Sequence, residues 1–348
     1  MHAWARSLVM AFMAACMCAC SSLDVKPEEH VSQSDEASLP GELKVTFLGA
    51  TTLLFDDGSS RVLIDGFLTR PPLHEVLAGP IRTDETRVRR ILRDAGATHI
   101  DAIFVTHSHY DHALDVGFIA QVTGATLYGS ESTLNIGRGS KLPENRLVRF
   151  NMDHWFSVGQ FRVHVYPSKH SPPIALINDN LGENIALPLH QPARESEYVE
   201  GGSFDILIAH GVNTTLVKGS ANYLRGALRD VHADTVFLPI GGVGFRGEAF
   251  HRRYYANTVG CVMPSLVVVT HWDSLFAPLD NNLPPMIGSG TTLSYIRDSL
   301  RADGIPLKVL QGFETIRPLT LKDRRPEPPP LSAGCEPPDS RPLAFIAP

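Results

Sequence analysis

The chain has 348 residues, 43% of them hydrophobic and 20% charged, with a formal net charge of −6. That balance suits one large or two modest globular domains and excludes a disordered protein. No Lys/Arg cluster with interleaved aromatics supplies the positive stripe that a phosphate backbone requires, so nucleic acid is not an expected partner.

The N-terminus reads as a leader over residues 1–20: MHAWARS carries Arg6, LVMAFMAA is a short apolar stretch, and CMCACSS follows. It is too short and too abruptly polar afterwards for a stable transmembrane helix and fits a secretory signal. Met17-Cys18-Ala19-Cys20 resembles a bacterial lipobox, with Cys20 as the lipid-carrying residue; Met13-Ala14-Ala15-Cys16 is a competing placement, and a plain cleaved signal is a third reading. Residues 21–41 read as a flexible polar tether holding a domain off a membrane. By resemblance to Gram-negative lipoproteins, the lack of Asp after Cys20 implies an exported protein anchored at the periplasmic face of the outer membrane. Beyond the leader only Cys261 and Cys335 remain, so no disulfide framework and no CxxC metal knuckle is expected.

From residue 42 short β runs follow, LKVTFLG, TLLFDD and RVLIDG, punctuated by Gly49, Asp57-Gly58 and Gly66. Val88, Ile91 and Leu92 at helical spacing predict a helix over 84–96, ending at Gly96. DAIFVT is the next strand, 113–122 a helix, and TLYGS, LVRF, FRVHVYPS, SFDILIAH and TTLVKG are further strands. NYLRGALRDV (222–231), FHRRYYANTVG and YIRDSLRADG read as helices between the strands DTVFLPIGG, LVVVTHW and PLKVLQ. The domain is placed at 42–321, and a Pro-rich tail at 322–348 is expected to stay outside the core. Strands and helices that must bury both sheet faces imply a layered α/β sandwich.

THSHYDHALD, residues 106–115, puts His107, His109, Asp111 and His112 directly after the run DAIFV. His107 and His109 are two apart in extended chain, so both imidazoles point to one side and can share a metal ion. Asp111 and His112 fall one turn onward and can serve a second. His170 and His271 each follow a β run, where strand ends on one sheet edge converge, and complete two coordination shells. Zinc accepts neutral imidazole and carboxylate, and three ligands with an open position mark a catalytic site.

These residues, with VLIDG at 62–66, PSKHS around His170, GSANY at 219–223, FLPIGG at 237–242 and VVVTHWD at 267–273, resemble the metallo-β-lactamase superfamily over residues 42–312. The form HYDHALD, with Asp115 three residues past the last His, is most similar to the branch of ascorbate-6-phosphate lactonases and N-acylphosphatidylethanolamine phospholipases D. The resemblance implies a four-layer αββα sandwich, with His107, His109 and His170 on one zinc and Asp111, His112 and His271 on the other. Where the family carries a metal-bridging aspartate, this chain has Ser220 in VKGSANY, a poor zinc ligand, so the first ion is expected to bind more tightly.

The expected activity is hydrolysis of a small ester-like bond in a small-molecule or lipid-like substrate. Asp111 is the catalytic residue that orients the attacking hydroxide. Asp65 reads as an acceptor for a ligand imidazole N–H or as a turn carboxylate, and Asp115 as a supporting residue or a solvent-facing one. A non-catalytic metal-binding lipoprotein and an iron-dependent oxidoreductase are the alternatives. His210 reads as a turn residue, His164 as a packed one, and His154, His190 and His251 lack ligand spacing. Residues 171–202 form an unusually long connection, a lid or substrate wall with apolar patches at 174–177 and 185–189 beside Arg194.

Overall fold

The computed structural model describes residues 23–31, 42–173, 180–318 and 335. The lipidation position Cys20, its competitor Cys16 and most of the C-terminal tail lie outside the described residues.

Two mixed sheets pack face to face between helices, the αββα sandwich expected from the sequence. The first takes β1 (Lys44–Phe47), β2 (Leu53–Asp56), β3 (Arg61–Ile64), β4 (Ala102–Phe104), β5 (Thr126–Gly129) and β6 (Leu147–Arg149) in that order. The second takes β7 (Phe156–Val158), β8 (Phe161–Pro167), β9 (Phe204–His210), β10 (Asn213–Val217), β11 (Thr235–Pro239), β12 (Leu266–Thr270) and β13 (Leu307–Val309). A last strand, β14 (Thr315–Ile316), returns to pair with β1. Rings bridge the layers: Phe55 of β2 meets Phe237 of β11 edge-on at 6.2 Å.

Strand composition follows position. β4, β11 and β12 each lie between parallel neighbours and are buried along their whole length, which is why AIF, TVFLP and LVVVT carry no alternation. β1 has its alternate residues buried. The helix read at 84–96 spans Glu85–Asp94 and buries Val88, Ile91 and Leu92. Asp84 caps it by accepting from Arg87 N at 3.0 Å.

Four expectations need correction. Residues 222–231 form successive turns with i→i+3 bonds, because Gly226 at φ +67° takes the chain out of the helical region. The helix read over 113–122 is split into Tyr110–Ala113 and Val116–Thr123, with Asp115 N turned aside to Gly66 O at 3.0 Å. The tether is not free throughout: within 23–31, Glu29 is buried and bonds Arg297 Nη2 at 2.8 Å, and His30 bridges Val309. Cys261 and Cys335 are joined by a disulfide across 74 positions, so one cross-link pins the tail to the short helix Val259–Val262.

Candidate metal centre

The C-terminal ends of β3, β4, β8, β10 and β12 open on one edge of the sandwich, delivering Asp65, the 107–112 turn, His170, Ser220 and His271. His107, His109 and His170 form one group of donor atoms and Asp111, His112 and His271 another, each within 4.8 Å. His109 Nδ1 stands 3.1 Å from His170 Nε2, and His271 Nε2 is 3.2 Å from an Asp111 carboxylate oxygen. The two groups adjoin, with the His107 and His112 rings 3.8 Å apart.

Local structure fixes these side chains. Asp65, buried at φ +56°, accepts from Thr106 N at 2.7 Å and from Thr106 Oγ1 at 2.9 Å, and meets His112 Nδ1 at 2.7 Å. Held in this way, His112 turns Nε2 toward Asp111, 3.6 Å away. This is the acceptor role read for Asp65, not a turn carboxylate. His170 Nδ1 donates to Ser171 O at 3.0 Å, leaving Nε2 for the site. Ser108, between the first two histidines, donates its N–H to Glu200 O at 2.9 Å and its hydroxyl to Val199 O at 2.6 Å.

The described part of the 171–202 connection is thus fastened to this turn and bonded also to the helix Glu131–Gly139, where Leu189 N donates to Asn135 O. Ile185 is buried, Leu187 projects at 76% exposure, and Arg194 is exposed; residues 174–177 lie outside the described residues. Asp115 is fully buried and accepts from Leu68 N, Thr69 N and Thr69 Oγ1 at 2.6–2.7 Å, so it faces no solvent. Ser220 Oγ accepts from Ser171 N at 2.8 Å, and Asn222 Nδ2 donates to His170 O at 2.6 Å; these residues hold the His170 turn. His210 ends β9 and pairs with Asp57 at 3.0 Å, far from any donor group.

Charge is distributed to match. Burial, followed by the neighbouring His112 and His170, holds His107 well below the usual imidazole range. Burial and then His109 push His170 down to about 3. Burial alone would raise Asp111, but His112 and His271 outweigh it and keep the carboxyl far below its ordinary value. For His112 burial acts downward, and Asp111 with Asp65 overcomes it. Burial thus holds His107 and His170 neutral beside an ionised Asp111, the donor state a divalent cation requires.

The residues fit such an ion. His107 Nε2 is buried with no hydrogen-bond partner, an orphaned polar atom of the kind a bound ion would satisfy. Imidazole-rich donors with one carboxylate suit zinc and its neighbours in the first transition row. Sequence reasoning missed Thr106, Ser108 and Asn222, whose roles depend on residues far along the chain.

Fold and donor geometry together define a metallo-β-lactamase-type protein. A Beta-lactamase superfamily domain model matches residues 60–201. A UPF0173 metal-dependent hydrolase of Carboxydothermus hydrogenoformans is 30% identical over 277 residues, covering 79% of this chain and 99% of the relative. A second, from Roseiflexus castenholzii, is 26% identical over 206 residues, covering 59% of this chain and 74% of the relative. Among solved structures, a possible metal-dependent hydrolase from Veillonella parvula aligns with a TM-score of 0.50 at 12% identity, over 79% of this chain and 99% of that one, a likeness of fold. The chain belongs to the UPF0173 family of metal-dependent hydrolases, within the metallo-β-lactamase superfamily.

Proposed function

We propose that the protein is a zinc hydrolase that cleaves an ester-like bond, a phosphodiester, lactone or lipid phosphoester, with His107, His109 and His170 holding one ion and Asp111, His112 and His271 a second. The observation that carries this reading is the meeting of two three-donor groups at one sheet edge. Zinc bound there supplies Lewis acidity, lowering the pKa of its water toward about 7 and polarising the oxygen under attack. Asp111, kept ionised by His112 and His271, accepts a hydrogen bond from the attacking water and aims it. Asp65 fixes the His112 tautomer, and Ser108 and the 180–202 wall hold the turn that carries both groups.

A lipid-like substrate is supported by two exposed apolar residues beside the site. Phe245 is 75% and Ile287 43% exposed. They lie on loops that adjoin it: a Cβ on Gly241 would come within 2.2 Å of His271 O, and one on Gly244 within 2.1 Å of Gly288 O. We further propose that the protein is exported and lipid-anchored at Cys20, in the branch of lactonases and N-acylphosphatidylethanolamine phospholipases D. The Cys261–Cys335 disulfide supports an oxidising compartment.

The test is elemental analysis of the purified protein joined to turnover of phosphodiester, lactone and ester reporters by wild type and His109→Ala. Zinc with turnover that the substitution abolishes is the expected result. Stoichiometric metal without turnover of any reporter would favour a binding protein, and iron in protein from its native source would sink the zinc assignment. Palmitate labelling that disappears in Cys20→Ser tests the anchor.

A further inference from the structure

Among the described residues eight non-glycine positions have positive φ, and four of them, Ala50, Asp65, Arg70 and His271, fall in one buried network. Strain of this kind persists only where the surroundings over-determine it, and it concentrates at functional sites. His271 N donates to Ala50 O at 2.8 Å. Ala50 N donates to the Asp273 carboxylate at 3.0 Å. Asp273 accepts in turn from Arg70 Nη2 at 2.7 Å, both side chains fully buried. Arg70 Nε donates to Ala277 O at 2.7 Å, and Nη2 also reaches Ser274 O, so the guanidinium clamps the turn after His271 from three sides.

The other end of this network reaches the first sheet. Thr69, next to Arg70, is held by Asp115; Asp115 N bonds Gly66 O at 3.0 Å, and Gly66 N bonds His112 O at 2.7 Å. Residues 65–70 thus form a strap running from His112 to the turn that carries His271. The imidazoles differ in how they are aimed. His112 and His170 each have Nδ1 engaged, by Asp65 and by Ser171 O, whereas His271 Nδ1 has no partner. Its direction is set by its backbone, at φ +51°.

We propose that the buried Arg70–Asp273 ion pair is the positioning element for His271, and so sets the metal affinity of the Asp111, His112, His271 group separately from that of the His107, His109, His170 group. The inference rests on the metal-centre reading of the site. Outer partners of metal ligands typically change affinity 10- to 100-fold when removed. Deleting one member alone would strand a buried charge, whereas replacing both with apolar side chains of similar size often leaves folding intact.

The experiment is a cobalt(II) titration followed by visible absorption, with thermal unfolding run in parallel, on wild type, Arg70→Met/Asp273→Leu and Asp273→Asn. Wild type is expected to take two equivalents. The folded double variant should take the first as wild type does and bind the second 10- to 100-fold more weakly, with loss of its absorption band. Asp273→Asn, which keeps an acceptor for Ala50 N–H but leaves Arg70 without its counter-ion, should weaken the second equivalent as the double variant does and lower the unfolding temperature further. A folded double variant with both affinities unchanged, or with both weakened in parallel, overturns the proposal. Should it fail to fold, Arg70→Lys, which keeps the charge and loses the planar fork, carries the same comparison. Wild type that binds no cobalt, or a single equivalent, overturns the two-group reading itself.

Discussion

The Asp65 carboxylate and the His112 imidazole meet at 2.7 Å, with Asp65 wholly buried and its remaining oxygen committed to Thr106 N. This carboxylate decides which nitrogen of His112 faces the site. Asp65→Asn removes the charge and offers an amide whose orientation is ambiguous. It is expected to weaken metal binding by about 10- to 100-fold and to lower kcat with it. Metal titration against a competing chelator measures the first, and unaltered affinity would refute the assignment.

The family resemblance puts Ser220 where an anionic ligand is expected, and its Oγ accepts from Ser171 N. Ser220→Asp keeps an acceptor for that N–H and adds a negative charge beside the donor groups. Metal content per chain is expected to rise. If elemental analysis returns the wild-type ratio, the serine is not what limits occupancy.

Glu29 gives docking of the N-terminal arm a pH dependence. Burial would raise its pKa, but Arg297 and the Lys26 N–H outweigh it, and the value falls below the ordinary 4.5. A carboxylate depressed in the folded state contributes stability above its unfolded pKa and loses it as pH falls through the folded value. Exchange protection over residues 23–31, taken relative to the intrinsic rate at each pH, is therefore expected to be high at pH 7 and to fall below about pH 4.5. Glu29→Gln should show low protection there at both, while core strands such as β12 keep wild-type protection.

The Cys261–Cys335 cross-link closes a loop of 74 positions. Long loops make such bonds effective, and loss of a native one typically costs about 2–5 kcal/mol. Cys261→Ser/Cys335→Ser is expected to lower the thermal midpoint and to leave kcat/KM within about twofold, because Cys261 lies in the short helix Val259–Val262 and neither cysteine belongs to a donor group. Equal midpoints with and without reductant would count against it.

The features legible in the sequence were those with a local signature. Apolar runs ended by Asp65, His107, His170 and His271 marked both the strands and the edge where their ends converge. The HxHxDH spacing and the resemblance it carries supplied all six donors. What stayed hidden depends on distance along the chain. Arg70 sits in an ordinary LTRPP loop, and nothing near it announces a partner 203 positions on. The helix Glu131–Gly139 escaped notice because ESTLNIGRG, with two glycines, has little apolar periodicity, although it packs closely against β5 and β6. The segment 222–231 has good helical spacing, and a single glycine conformation overrode it.

The docked arm has a consequence for the sheet it touches. β13 is the last strand of its sheet, and its open side is met by the His30 bridge to Val309 and by Lys308 Nζ, which reaches the carbonyls of Glu28 and His30. A chain shortened to start after residue 41 would present that rim bare, a template to which a strand of another molecule could add. The arm is thereby a guard against aggregation as well as a fastening.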